Sequence, residues 1–335
     1  MKERFSDLKD SLKNKIGEQE MSLVDNNKNS LVKNDCSQEK GFMNKAKDSI
    51  INAIDENGNG QIDIEDIIIK GLKVPGIKID RAEFLTKQLM KWYPQEVIDK
   101  VITTTPMKAN IPLDVIDNIA DEVIKYERNC VSGISAALST PGGFAMVATL
   151  PADIIQYYGY MLRVMQKLLY LYGFSQIDTT EKKEHFDDAT MNTLIICFGV
   201  MYGVSGASNA LKTMAKALAT GVEKQLLRKA LTKGTLYPIV KKVAKWFGVK
   251  MTKDVFARSC SKAIPLVGGI IGGGITFMSF KPCCDKLKLS LQDTILSNPK
   301  YKPQYESELD DISDIATDIN EENEDLLLDL NSDIE

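Results

Sequence analysis

The chain has 335 residues, 44% of them hydrophobic, which is enough for one large domain or two ordinary ones and too apolar for a wholly disordered polypeptide. Its net charge of −4 conceals a division: 13 acids and no base lie between Pro303 and Glu335, so residues 1–302 hold 42 bases against 33 acids, a net of +9. The single histidine, His185, excludes His-rich zinc sites, paired-His metalloproteases and most imidazole-dependent triads, so enzymatic readings start at a disadvantage.

The N-terminal segment lacks an apolar run of the secretory kind, which predicts an intracellular, cytoplasmic chain. Phe5, Leu8, Leu12 and Ile16 recur at helical spacing and a polar, Asn-rich linker follows, so residues 1–40 read as an amphipathic helix and linker. From Phe42 the apolar residues Ala46, Ile50, Ile51 and Ile54 predict another helix, which runs into the segment DENGNGQIDIED at residues 55–66. That segment places side-chain oxygens at Asp55, Asn57, Asn59, Asp63 and Asp66, a glycine at Gly60 for a sharp turn, and Gln61 where a backbone carbonyl is needed. Ile64, Ile67, Ile68 and Leu72 give the exiting helix an apolar face. Residues 41–73 therefore resemble a single EF-hand, with Asp55, Asn57, Asn59, Gln61, Asp63 and Asp66 as the predicted ligands of Ca²⁺. The last ligand is Asp66 and not the longer Glu, which weakens bidentate reach to Ca²⁺ and shifts the balance toward Mg²⁺. No second loop accompanies it, so the ion is structural or regulatory, or the hand is completed by a partner.

Residues 81–128 predict two or three helices broken at Pro94, Pro106 and Pro112. Three charge-free stretches, 131–152, 189–211 and 263–280, have the length to cross a bilayer, yet their glycines and weakly polar residues suit close-packed helices inside a bundle equally well. Gly199 with Gly203, Gly268 with Gly272 and Gly269 with Gly273 form GxxxG pairs that let helix backbones approach. Asp153 and Arg163 lie on different faces of one helix, which points to separate pairing or capping roles. Glu181, His185 and Asp188 share a helical face, and a charged solvated turn is the favoured reading over a metal site. Between residues 212 and 262, 13 bases face only Glu223 and Asp254, with Tyr237, Trp246 and Phe247 interleaved; solvated helical faces or an anionic membrane surface account for this, and the lack of a reader motif disfavours nucleic acid. Six cysteines without CxxC spacing argue against a disulfide scaffold or zinc site, and Cys283 with Cys284 are open to lipidation or simple packing. The acidic tail, 303–335, is predicted to be disordered or to fold back on the basic segment. No strand alternation appears, so the expected fold is all-α: a helical bundle with close-packed Gly/Ala-rich apolar helices, preceded by the helix-loop-helix of the EF-hand.

Residues 133–174 carry a Gly-rich apolar stretch with Thr140-Pro141, then Leu150-Pro151-Ala152-Asp153, and then a helix with Tyr157, Tyr158, Leu162-Arg163 and Tyr172-Gly173. Ile264-Pro265-Leu266-Val267-Gly268-Gly269 and the glycines to Gly274 form a second landmark. These motifs resemble the EcsC family over roughly residues 75–292, with Ser175 and Gln176 standing where an aspartate often follows the Tyr/Phe-Gly pair. The resemblance implies a helical, intracellular protein without an established catalytic activity. The expectation is a non-enzymatic, membrane-associated EcsC-like protein with a Ca²⁺-binding hand, which meets an anionic membrane surface, a protein partner or a second copy of itself. The alternatives are a membrane-inserting or pore-forming effector using glycine-zipper helices, and an enzyme of unknown chemistry.

Overall fold

The computed structural model of the chain describes residues 50–56, 58–138, 145–177, 188–219, 234, 236–248 and 268–298, all within one unit, Ser49–Glu335; the side chains of 145–150, 268–273 and 275 are not described. Residues 1–40, Asn57, Thr140-Pro141, Glu181 and His185, Pro265 to Val267, much of the basic segment and the 303–335 tail lie outside the described residues.

The described residues form helices and no strand. In chain order these are α1 (50–54), α2 (Ile64–Lys73), α3 (Arg81–Leu89), α4 (Gln95–Thr103), α5 (Leu113–Leu138), α6 (Ala145–Leu171), α7 (Asp188–Tyr202), α8 (Ala207–Ala219), α9 (237–248) and α10 (Gly268–Gln292). The prolines act where the sequence places them. Pro94 is the N-cap of α4, and Pro112 stands immediately ahead of α5, where its missing N–H removes no helical bond. Asp80 caps α3 by accepting the Glu83 N–H at 2.8 Å.

Helix α6 is the centre of the bundle, packed against α2, α3, α5 and α10. From Met161 to Leu171 its apolar side chains are fully buried. Helix α5 turns Ile116, Ile119, Ala120, Val123, Ile124 and Val131 inward, a stripe at three- and four-residue steps that meets α6 and α10. Helix α7 has no polar face between Leu194 and Met201 and is correspondingly enclosed, by α2, α8 and α10 among others. Phe198 of α7 and Phe247 of α9 stack edge to face at 5.6 Å, with Tyr158 of α6 about equally close to both. Phe247 is thus a core residue, whereas Lys241 and Lys245 of the same helix are exposed. Over 237–248 the basic segment is an amphipathic helix with Val240, Val243 and Phe247 inward and Tyr237 and Trp246 half-buried.

The charge-free stretch 189–211 is not one helix. Gly203, at φ +74°, ends α7 in a paired stop: its N–H bonds the Val200 carbonyl at 3.0 Å, and the Val204 N–H bonds Gly199 at 2.8 Å. Gly173 ends α6 in the same way at φ +92°, with Phe174 N–H on the Leu169 carbonyl at 2.9 Å. The Tyr-Gly pair of the sequence motif is therefore a helix terminator. Gly203 is a stop and not the partner of Gly199 on a helix face. Gly199 itself is a point of close approach, since a Cβ there would sit 2.5 Å from Val243 Cγ2 and 2.9 Å from Ala207 Cβ. A Cβ on Gly274, in contrast, would meet nothing within 4 Å. Among the described residues no helix is long and apolar enough to cross a membrane.

Candidate metal centre

The loop between α1 and α2 is organised by two carboxylates. Asp55 accepts the N–H of Gly58 and of Gly60, each at 2.7 Å, one on each oxygen. Both glycines have positive φ, +72° and +78°, so the chain can double back over the Asp55 side chain. Asp66 lies at the other end, only 1% exposed, and accepts the Glu56 N–H at 3.1 Å and the Asp63 N–H at 2.9 Å. With Asp63 it makes the capping box that starts α2. One buried carboxylate therefore ties the entry of the loop to its exit.

Between them, Asn59 donates its amide to Asp63 Oδ2 at 2.9 Å and accepts the Gln61 N–H at 2.7 Å. Asp55, Asn59, Gln61, Asp63 and Asp66 are thus brought into one loop, and Asn57 lies outside the described residues. The donor set is all oxygen, which suits a hard cation such as Ca²⁺ or Mg²⁺. Among the described residues, no three His, Cys, Asp or Glu side chains converge closely enough to hold a metal. The loop's carboxylates are engaged instead by N–H groups, Asp55 and Asp66 by the backbone and Asp63 by the Asn59 amide. Burial pushes the Asp66 carboxyl above the usual carboxylate range, with Asp63 and Asp55 adding repulsion, and burial raises Glu65 as well. Glu56 is moved the other way by Lys70 and Lys73, which hold its two oxygens at 2.5 and 2.6 Å.

The exiting helix is docked firmly. Ile64, Ile67, Ile68 and Leu72, the apolar face expected from the sequence, are all at most 1% exposed. Gly71 crosses α6 at Gly159: a Cβ on Gly71 would lie 2.7 Å from Leu162 Cδ1 and 3.5 Å from Gly159 Cα. Beyond α2, the connector to α3 is clamped by Gln166 of α6, which is wholly buried. Its amide accepts the Ile79 N–H at 3.1 Å and donates to the Ile77 carbonyl at 3.0 Å. Tyr170, one turn along, reaches the Ile79 carbonyl at 3.3 Å.

A second polar centre escaped the sequence reading. Glu127 of α5 is 0% exposed and bonds Lys167 of α6, with Arg163 Nε 3.3 Å from the same oxygen. Burial pulls the Lys167 ammonium below the usual lysine range. The signal was present, because Glu127 falls on the buried stripe of α5 between Val123 and Val131. Asp153 pairs elsewhere, accepting from Ser135 Oγ at 2.6 Å, so it and Arg163 do have separate partners. Cys197 and Cys284 are buried free thiols, Cys197 pushed up to about 12 by burial, while Cys130 and Cys283 are half-buried. No protein-family model matches the chain, and no curated protein or solved structure is found similar to it.

Proposed function

We propose that the chain is a non-enzymatic, membrane-associated, EcsC-like helical protein whose 55–66 loop binds Ca²⁺, or Mg²⁺ in its place, as a structural or regulatory ion. In this reading residues 41–73 form a single EF-hand ahead of a bundle of close-packed Gly/Ala-rich helices. The observation that supports it most is Asp66, a buried carboxylate kept from easy ionisation by burial and by the nearby charges of Asp63 and Asp55, within an all-oxygen loop. A bound cation would relieve that crowding, with Asp55, Asn57, Asn59, Asp63 and Asp66 offering side-chain oxygens and Gln61 its carbonyl. Because α2 and its connector are anchored on α6, a change in the loop would be felt by the bundle directly.

Calorimetric titration of the full chain with Ca²⁺ and with Mg²⁺ tests the ion. Heat is expected from at least one, and Asp55→Ala should abolish it. No heat from either with the wild-type chain would refute the hand. Membrane fractionation with and without Ca²⁺ tests the regulatory part, which predicts a shift of the chain between fractions.

A further inference from the structure

A cavity of about 660 Å³ opens beside the Glu127 cluster, between the start and end of α3, α5 and α6. Five cations line it: Lys78, Lys87, Lys91, Arg163 and Lys167. Three acids, Asp80, Glu83 and Glu122, line it too, so with Glu127 at the base five cations stand against four carboxylates. At the base, Glu127 balances only one of its two cationic neighbours, so the buried cluster keeps one positive charge. Arg163 Nε, 3.3 Å from one Glu127 oxygen, and the other Glu127 oxygen are both buried there with no hydrogen-bond partner among the described residues. The volume is that of a small-ligand pocket. An excess of Lys and Arg donors arrayed around one cavity fits the several oxygens of a phosphate better than a single planar carboxylate.

The rim is apolar. Met90 and Trp92 flank Lys91 at the end of α3, 63% and 71% exposed, and Tyr126, which lines the cavity, is 60% exposed. Large side chains so exposed beside lysines belong at a membrane interface, where tryptophan and tyrosine sit at headgroup level and each lysine adds about 1 kcal/mol toward anionic lipid. We propose that this cavity binds the phosphate of an anionic phospholipid headgroup, with Lys87, Lys91, Arg163 and Lys167 around the phosphate and Met90, Trp92 and Tyr126 against the bilayer. The inference deepens the membrane part of the function proposed above and rests on it. It does not depend on the calcium part.

The test uses the full chain in EGTA and phosphatidylcholine vesicles with and without phosphatidic acid, followed by co-sedimentation. Binding should favour the acidic vesicles by at least about tenfold, on the order expected from a few lysines near the surface. Lys87→Glu with Lys91→Glu should remove that preference, whereas Lys100→Glu with Lys125→Glu, equal in charge change and outside the cavity, should keep it. All four lysines are exposed, so the fold tolerates both pairs. Met90→Ser with Trp92→Ser should weaken vesicle binding and leave binding of soluble glycerol phosphate, read by phosphorus NMR, unchanged. Equal loss in the two charge-reversed pairs, or acidic-vesicle binding that survives Lys87→Glu with Lys91→Glu, overturns the cavity while leaving the membrane reading in place. Binding of glycerol phosphate without any vesicle binding overturns the lipid as its source, and the membrane reading with it.

Discussion

Asp66 and Glu127 are both carboxylates with almost no exposure, 1% and 0%, and their surroundings are opposite. Asp66 is satisfied by backbone N–H groups and stands among other carboxylates, so its region has negative charge in excess. Glu127 meets two side-chain cations through one oxygen, while its other oxygen is buried without a hydrogen-bond partner among the described residues, so two cations face one carboxylate. The same group, equally buried, is set among acids at Asp66 and beside two cations at Glu127. What decides the charge of each region is the partner that neutralises the carboxylate, not the carboxylate.

Removing Glu127 should be the most damaging change, because Glu127→Ala strands two cations at the base of the cavity. A loss of about 3–5 kcal/mol in denaturant unfolding is expected, against little change if the pair were solvated. Next in size is the clamp that joins the two regions. Burial holds the Tyr170 phenol up to about 12 against an ordinary 10. The unfolded chain binds that proton less tightly, so the stabilisation is complete below pH 10 and is lost as the pH climbs through 12, roughly 2–3 kcal/mol for a shift of that size. Stability curves of the wild type and Tyr170→Phe should converge or cross over that interval; parallel curves would remove Tyr170 from the account. Asp66→Asn should cost the cation-free protein about 1–2 kcal/mol, since its amide oxygen keeps one N–H while its NH2 group faces the other, and the loss of a desolvated charge offsets part of this. The same variant should lose its thermal shift with Ca²⁺. Glu56→Gln should matter least, about 0–1 kcal/mol and less at high salt, because its lysine pairs lie at the surface.

The two regions also differ in how far the sequence disclosed them. The loop is local: Gly60 makes the sharp turn expected of it, and Asp55 and Asp66, eleven positions apart, hold the turn and the start of α2 through backbone N–H groups. The all-helical architecture and the breaks at Pro94 and Pro112 were legible for the same reason, since periodicity and proline act over a few residues. The cavity is not local. Glu127 and Lys167 are 40 positions apart, and only the crossing of α5 and α6 makes them a pair. Gly203 shows a related limit, because its spacing from Gly199 suggests a helix face and its left-handed backbone makes a helix end. Length alone likewise made 189–211 a candidate span, and a glycine stop divides it.

The clamp on the connector carries a consequence for the order of events during synthesis. Gln166 lies 89 positions after Ile77, and Gln176, whose amide oxygen accepts the Arg81 N–H at 2.6 Å, lies 95 after Arg81. At about 5–20 residues per second, several seconds separate the emergence of the loop from that of the helix it docks on. For that interval α2 has no Gly159 to cross and no buried amide to hold its exit. A divalent cation that nucleates the loop would therefore act first on a nascent chain, shaping α2 before the bundle closes over it, and distant contacts that are slow to form would inherit a helix already in place.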